Sequence, residues 1–439
     1  MVLRIDDTDV DRNTEASLNS IYDGLKWLGL GWDEFYRQSE RLDLHRKLTY
    51  SLLEKGLAYR DFVPASGEAS EERPHTEGPW LCHPEMRALS TAESDARAAA
   101  GEPFVIRYRV KREPAYEISF TDSVYGKQTK LTADIEDFAL LRSNGMPTYH
   151  LASCADDIDL KISHVIRGQD HLTNTFKHIL IFQAAGVNPP QFTHLPLLIA
   201  PDGAKLSKRK HGPVVSVTTY RDHGFLAAAY INFLCLLGWS PKDNREQMTL
   251  LELQNAFSFE GVNRSNAVVN FSDADPIDPK AMWLNSQHLR TMPVELLAPQ
   301  VRKVLLDTGL APYGDDKFFA AVIDTIRARF TTLLDFATKG RAYFSDDFES
   351  EPGALEKLNA PGARELLHEL AKLIAANPDF TEASVEADLR KLATDRGIKA
   401  GIIINASRAA LTGQPVGPSV FHVFTAIGRE RVVSRLSKV

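Results

Sequence analysis

Four cations fall within six residues in Lys205-Leu206-Ser207-Lys208-Arg209-Lys210-His211-Gly212. Ala200-Pro201-Asp202-Gly203-Ala204 comes just before them, and Pro-Asp-Gly turns a chain by mechanism, Pro presetting φ and Gly supplying a positive φ. Ahead of the turn runs His194-Leu195-Pro196-Leu197-Leu198-Ile199, short, apolar and strand-like. A cationic loop leaving the end of a buried strand lies where open α/β sheets bind ligands. Flexible lysines there suit a polyphosphate. A basic run alone is more often a solvated turn, so the weight falls on what accompanies it. A second polar cluster, Asp6-Asp7-Thr8-Asp9, closes the apolar run Val2-Leu3-Arg4-Ile5. Its three carboxylates serve equally well as a substrate-binding strand end or as a polar loop with helix caps.

The elements that must position these residues read as an α/β pattern. Val2–Ile5 is a strand. A helix follows from Asn13-Thr14, both good caps, with Leu18, Ile21, Leu25 and Leu28 as its apolar stripe and Gly29 and Gly31 as its stop. A second helix is expected over about 40–55, with Leu44, Leu48 and Leu52 inward. Residues 63–79 are rich in Pro, Ser, Glu, Gly and Thr, offer little to bury and read as an exposed loop. A short helix over 87–100 and alternating strands over 104–110 and 116–120 come next. Phe138–Leu141 and Thr148–Leu151 flank Ser143-Asn144-Gly145 as a hairpin. Residues 63–145 thus read as an antiparallel α+β insertion. The α/β pattern resumes with a strand over 163–167 and a helix opened by Gly168-Gln169-Asp170-His171 and running through Ala185. After Thr219 the chain turns helical. Leu226–Leu237 is densely apolar and ends at Gly238-Trp239-Ser240-Pro241, and further helices are expected over 294–306, 315–337, 360–375, 382–396, 400–411 and 419–437.

Composition narrows the class. With 439 residues the chain has room for about three domains of roughly 150 residues. No apolar run approaches the ~20 residues that span a bilayer, and the first residues lack the shape of a secretory signal. The three cysteines, Cys82, Cys154 and Cys235, are scattered. They form no disulfide framework and fit a reducing cytoplasm. With no paired thiols there is no strong zinc signature. Net charge is −7, so a nucleic-acid partner must be met by local basic patches.

Taken in order, these segments resemble one family. Lys205-Leu-Ser-Lys-Arg209 resembles the Lys-Met-Ser-Lys-Ser loop of class I aminoacyl-tRNA synthetases, and Leu3-Arg-Ile-Asp-Asp-Thr-Asp9 resembles the Leu-Arg-Ile-Glu-Asp-Thr-Asp strand end of their bacterial glutamyl members. Gly145-Met-Pro-Thr-Tyr-His-Leu-Ala152, Asp156-Asp157, His164-Val-Ile-Arg-Gly168, Gly186-Val-Asn-Pro-Pro-Gln-Phe192 and Leu236-Leu-Gly-Trp-Ser240 are similar in order and spacing. So are Ala410-Leu-Thr-Gly413 and Ile427-Gly-Arg-Glu-Arg431. The resemblance covers essentially the whole chain.

It implies a class I Rossmann-like catalytic domain with an inserted α+β acceptor-binding domain, followed by an all-α anticodon-binding region. The expected boundaries are 1–62 and 146–200 for the two parts of the catalytic domain and 63–145 for the insertion. Residues 201–290 would hold the lysine loop and a stem-contact helical domain, and 291–439 the anticodon domain. The implied reaction is glutamate–tRNA ligation by a cytoplasmic monomer, with glutamate, ATP accompanied by Mg²⁺, and tRNA(Glu) as partners. Lys208 would stabilise the developing phosphate charge, with Lys205 and Ser207 in support. Asp170 would meet the ATP ribose, and the backbone of Leu197 and Leu198 the adenine. Asp6 would meet the glutamate amino group, Tyr149 would hydrogen-bond the substrate, and Arg167 would hold its side-chain carboxylate. By the residues alone, a core tyrosine and a structural ion pair are the favoured readings of Tyr149 and Arg167.

Three departures stand out. The family's opening segment, with the first sheet strand and the His-Ile-Gly-His-type phosphate motif, is expected to be absent here. A start codon placed late accounts for that better than a true deletion, since everything downstream is intact. The chain as written is then expected to be nearly inactive, and a catalytically dead tRNA-binding remnant is the runner-up reading. Asp6 stands where the family more often has Glu, one methylene longer. Tyr59-Arg60-Asp61-Phe62 lies where many relatives carry paired cysteines, so no zinc is expected. Glutaminyl enzymes end in β-barrels and the short relatives lack a tail, and neither pattern matches the helical tail read here.

Overall fold

A computed structural model describes residues 1–8, 14–62, 83–272 and 274–439, without the side chains of Lys208, Arg209 and Pro213. The expected loop over 63–79, Cys82 and Asp9 lie outside the described residues. The chain divides into two compact units. One comprises Met1–His211, Cys235–Arg245 and Leu251–Asn270; the other comprises Gly212–Leu234, Glu246–Leu250 and Phe271–Val439.

The first unit opens as β1 (Val2–Ile5), α1 (Glu15–Trp27), β2 (Glu34–Arg37), α2 (Leu42–Glu54) and β3 (Ala58–Asp61). β1 and β2 pair in parallel, Leu3 opposite Phe35. Thr14 starts α1, its hydroxyl accepting the Ser17 N–H at 3.2 Å. The apolar stripe expected on α1 is only half-buried, and Ile21 is exposed. A two-stranded support is too narrow to cover it, and Tyr22 instead packs on Trp32 and Phe35 at 5.7 and 6.1 Å between ring centroids.

Next come α3 (Pro84–Ala88), α4 (Thr91–Ala99), β4 (Val105–Tyr108), β5 (Glu117–Asp122), β6 (Gly126–Leu131) and β7 (Ala139–Leu141). The single helix expected over 87–100 is two, because Ser90 breaks out to form a capping box with Glu93. β3, β4 and β7 make one antiparallel sheet. The β5–β6 hairpin belongs elsewhere. It joins two later strands in the order β6-β5-β9-β8, where β8 is His164–Gly168 and β9 is Gln191–Leu195.

Between β7 and β8 lies α5 (Tyr149–Asp159). The chain does turn at Ser143–Gly145, with Gly145 at φ +77. The returning arm is short, however: Thr148 N–H reaches Leu140 C=O at 2.9 Å, and Thr148 C=O then accepts the Ala152 N–H at 3.0 Å. Tyr149–Leu151 is therefore the first turn of α5 and not the strand expected. Leu151 to Asp156 are all buried, as a helix at the centre of a unit must be. α6 (Asn174–Ala185) packs on α5 and carries the apolar run Ile179-Leu180-Ile181-Phe182 into the same core.

The apolar run ahead of the lysine loop is likewise two strands. β9 stops at Leu195, and β10 (Leu198–Ile199) pairs in parallel with β11 (Ala267–Val268). Pro196 cannot continue a ladder, and it packs where a Cβ on Gly238 would lie 2.7 Å from its ring. Leu198 is 36% exposed, so this end of the run is not the buried strand expected. The turn behaves as Pro-Asp-Gly predicts: Gly203 sits at φ +82, Ala200 N–H bonds Ala204 C=O at 2.8 Å and Leu206 N–H bonds Leu198 C=O at 2.9 Å. A short helix, α7 (Lys208–His211), follows.

The second unit is helical. Two helices expected over 315–337 and 419–437 are interrupted. Helix Asp316–Ile326 gives way to a 3₁₀ turn at Arg327–Arg329 before Leu334–Ala337, and Val420–Ile427 is separated from Arg429–Ser437 by Gly428 at φ +87. Leu297, Phe319, Phe336, Leu370, Ile403 and Phe424 lie in one continuous core. Among the described residues no helix is long and apolar enough to cross a membrane.

Candidate active site

β8 and β9 run in parallel with Arg167 opposite His194. Both residues stand near the carboxyl ends of their strands, where an open parallel sheet presents side chains to a ligand. α5 brings Tyr149 at its first turn, and α6 presents Thr175 and His178. Arg167 is the meeting point. Nε donates to His194 Nε2 at 3.2 Å, Nη1 to Tyr149 Oη at 2.9 Å with His178 Nδ1 at 3.4 Å, and Nη2 to Thr175 Oγ1 at 2.7 Å and His171 C=O at 3.3 Å. Every acceptor in that set is uncharged, and no carboxylate pairs with Arg167 among the described residues.

Burial keeps the surrounding imidazoles neutral. It pushes His150 down to about 3, lowers His178 well below its ordinary value and lowers His194 and His171, in each case with Arg167 adding to the effect. Neutral imidazoles accept hydrogen bonds, which a guanidinium requires. Burial raises Tyr149, against the opposing pull of Arg167, so the phenol keeps its proton. Since its oxygen accepts from Arg167, that hydrogen is available to an incoming acceptor.

Asp6 lies nearby. Arg4 grips it through Nε at 2.7 Å and through Nη2 at 3.3 Å, and Arg4 Nη1 reaches Asp157 at 3.0 Å. Asp6 acts on the Tyr149 phenol at Coulombic range. Behind Arg4, the buried Asp156 accepts from Gln38 at 3.0 Å and Arg41 at 2.8 Å and lies 3.0 Å from His45. Burial alone would raise Asp156; these partners more than offset it and leave its pKa lowered. The Asp156-Asp157 pair is thus the clamp that sets β1 and its carboxylates against α5.

The residues expected to meet ATP form a second group. Lys205 Nζ bonds Asp170 Oδ2 at 2.5 Å. Burial pushes the Asp170 carboxyl up, and Lys205 and His171 outweigh that, leaving it lowered. Gly168 leaves room for this carboxylate: a Cβ on it would lie 2.5 Å from Asp170 Oδ1, and the Asp170 side chain would have to turn aside. Leu197 has its N–H bonded to Asn266 Oδ1 at 3.1 Å and its C=O to Ala267 N–H at 2.9 Å, and Leu198 C=O accepts Leu206 N–H. These backbone groups serve the fold of the loop as it stands. Ser207 starts α7, its hydroxyl accepting the Lys210 N–H at 3.3 Å. The Lys208 side chain lies outside the described residues.

His171 joins the two groups. Its ring lies 5.4 Å from that of Tyr149 and its Nε2 3.8 Å from Asp170. Sequence reasoning named Arg167, Tyr149, Asp170 and Lys205 but missed His171, Thr175, His178, His194 and Asp122 around them. One signal was present: His171, Thr175 and His178 recur at four and then three residues, one face of a helix. Asp122 and His194 are 72 residues apart and carry none.

Several cations of the insertion and of the tail are engaged within the protein. In the insertion, Arg107 pairs with Asp61 at 2.7 Å, Arg112 with Asp137 at 3.0 Å, and Arg109 bonds Arg87 C=O at 2.7 Å. In the tail, Arg435 is 8% exposed, pairs with Asp346 at 2.7 Å and bonds Ala342 C=O at 2.8 Å, and Arg431 shares Asp346. Lys111 and Lys438 are exposed.

Residues 1–275 match the tRNA synthetases class I (E and Q) catalytic domain, and residues 294–439 match an anticodon binding domain. With this α/β catalytic domain followed by a largely helical anticodon-binding region, the chain is a class I aminoacyl-tRNA synthetase. Among curated relatives, a glutamate–tRNA ligase of Solibacter usitatus (strain Ellin6076) is 51% identical over 441 residues, covering 100% of this chain and 92% of that protein. One of Desulfotalea psychrophila is 42% identical, covering 99% and 91%. A crystal structure of a glutamate tRNA ligase from Elizabethkingia meningosepticum in complex with its amino acid matches with a TM-score of 0.81 at 30% identity, covering 100% of this chain and 91% of that one. The chain belongs to the glutamate–tRNA ligase family.

Gly168→Ala tests the second group. The new methyl displaces the Asp170 carboxylate from Lys205. The expected result is about a tenfold rise in the KM for ATP, the scale of one charge-assisted hydrogen bond, with the KM for glutamate changed less than about twofold. Steady-state aminoacylation at varied ATP measures it.

Proposed function

We propose that the chain activates glutamate with ATP and transfers the glutamyl group to the 3′ end of tRNA(Glu). The observation that carries this reading is the Arg167–Tyr149 pair standing beside the Asp170–Lys205 pair, with His171 touching both. The first pair suits a carboxylate and the second a nucleotide. Arg167 takes the side-chain carboxylate in a geometry a planar fork favours, and Tyr149 donates its O–H to the same group. Asp6 faces the substrate amino group. One oxygen of the α-carboxylate attacks the α-phosphorus of ATP, the bond to the bridging oxygen breaks and pyrophosphate leaves. A ribose hydroxyl of the tRNA end then attacks the acyl carbon, loses its proton and expels AMP. No protein nucleophile is needed; positioning and charge neutralisation supply the catalysis.

Asp170 would exchange its bond to Lys205 for the ribose hydroxyls, and that exchange releases Lys205 toward phosphate. Lys208, supported by Ser207, would stabilise the charge developing on the phosphates, and the backbone at Leu197 and Leu198 would face the adenine. Mg²⁺ would arrive with ATP, held largely by the phosphates. The catalytic part is proposed as Rossmann-like, its parallel pairs β1–β2 and β8–β9 interrupted by an acceptor-binding insertion, and the protein as a cytoplasmic monomer.

In a protein carrying the family's opening segment, Lys208→Ala should lower glutamate-dependent ATP–pyrophosphate exchange, measured with tRNA(Glu) present, by about 10²–10³, the usual cost of one charge-stabilising donor. Exchange equal to that of the unsubstituted chain would contradict the assignment.

Binding of tRNA(Glu) should weaken steeply with salt, because phosphate contacts release counterions. Filter binding between low and moderate salt measures the slope, and a flat response would contradict the partner. Since so many arginines are internally paired, the slope should be set by exposed lysines such as Lys111 and Lys438.

We propose no structural zinc. Tyr59-Arg60-Asp61-Phe62 stands where paired cysteines would be needed, and the three cysteines are scattered along the chain. Elemental analysis finding one zinc per purified chain would overturn this.

A further inference from the structure

We infer that Asp122 and His194 are positioning residues for glutamate: together they hold the Arg167 guanidinium in the orientation that receives the substrate carboxylate. The inference rests on the proposed role of Arg167 and goes beyond it.

Asp122 ends β5 and is 1% exposed. Its Oδ1 accepts the N–H groups of Val124 and Tyr125 at 3.0 and 2.9 Å, and its Oδ2 accepts the N–H of His194 at 3.1 Å and lies 2.6 Å from His194 Nδ1. An ionised carboxylate only accepts, so Nδ1 carries the imidazole hydrogen. At the other end of the ring, Arg167 Nε only donates, so Nε2, 3.2 Å away, presents its lone pair. Both ends demand the same tautomer, and each enforces it for the other. Thr175 Oγ1, 3.2 Å from Nε2, accepts from Arg167 Nη2 at 2.7 Å and braces the same edge.

The consequence is directional. With Nε and one edge of Nη2 tied back toward β9 and α6, the Nη1 edge is left facing Tyr149. The weakest contact in the set is the 3.4 Å approach of His178 to Nη1, the one a carboxylate displaces at least cost. Asp122 supplies a negative charge to the network without touching the guanidinium, so it steadies Arg167 and leaves its charge unpaired for substrate. An Asp behind a His that serves a third group is the arrangement by which tautomer and orientation are fixed elsewhere in enzymes.

Equilibrium dialysis of the full chain against labelled L-glutamate tests this, with ATP binding measured on the same preparations. His194→Ala removes the acceptor and should raise the Kd for glutamate about 10- to 100-fold, the scale of a lost hydrogen bond to a charged group. His194→Gln keeps a carbonyl for Arg167 and an N–H for Asp122, and should stay within about threefold of the unsubstituted chain. Asp122→Asn favours the opposite tautomer and should cost about tenfold. The Kd for ATP should move less than about twofold in all three. A rise under threefold in His194→Ala, a His194→Gln variant as weak as the alanine, or ATP binding falling in step with glutamate overturns the relay. Arg167→Ala separates the two levels. If it too leaves glutamate binding unchanged, the role of Arg167 itself fails; if it abolishes binding while His194→Ala does not, only the relay fails.

Discussion

Arg167 is a cation held in place by neutral acceptors, and the rest of the first unit is arranged around that constraint. A guanidinium paired with a carboxylate would be stable and useless to an acidic substrate. One surrounded by a phenol, a hydroxyl, two imidazoles and a carbonyl is oriented but keeps its charge. The acceptors come from α5, α6, β9 and the segment joining β8 to α6, so no single element builds the site. The negative charge that balances it stands one imidazole away, on Asp122 at the end of β5. The β5–β6 hairpin pairs with β9 and not with β3, β4 and β7, and that pairing sets Asp122 beside His194.

The same logic of charges held at a distance runs through the other half of the site. Lys205 and Asp170 satisfy one another. Arg4 divides its donors between Asp6 and Asp157, so Asp6 is fixed while keeping an exposed face. Where charge serves architecture, it is buried and spent: Asp156 between Gln38, Arg41 and His45, and Arg435 on carbonyls that end helices in the second unit. The division explains why counting arginines is a poor guide to the nucleic-acid face of this protein.

Local signals were legible in the sequence. The Pro-Asp-Gly turn, the strand before Asp6 and most helices of the tail follow from short-range chemistry, and the order of the motifs and the attention to Arg167, Tyr149, Asp170 and Lys205 came from family resemblance. What was not legible depends on tertiary context. Tyr149 reads as strand because it follows a hairpin turn, but Thr148 both ends the strand pairing and starts α5. The run His194–Ile199 reads as one strand until Pro196 divides it. The α1 stripe reads as core, yet its cover is too small. The histidines around Arg167 were missed because a histidine in sequence has no direction. Only the folded chain brings His194 to Asp122 across 72 residues.

A crystal structure of the chain with L-glutamate bound tests the central claim most directly. The side-chain carboxylate is expected within about 3.2 Å of Arg167 Nη1 and Tyr149 Oη, the ordinary reach of a hydrogen bond, with the His194 and Asp122 contacts unchanged and His178 released. Glutamate seated with that carboxylate elsewhere, and Arg167 still holding all of its present acceptors, would contradict it.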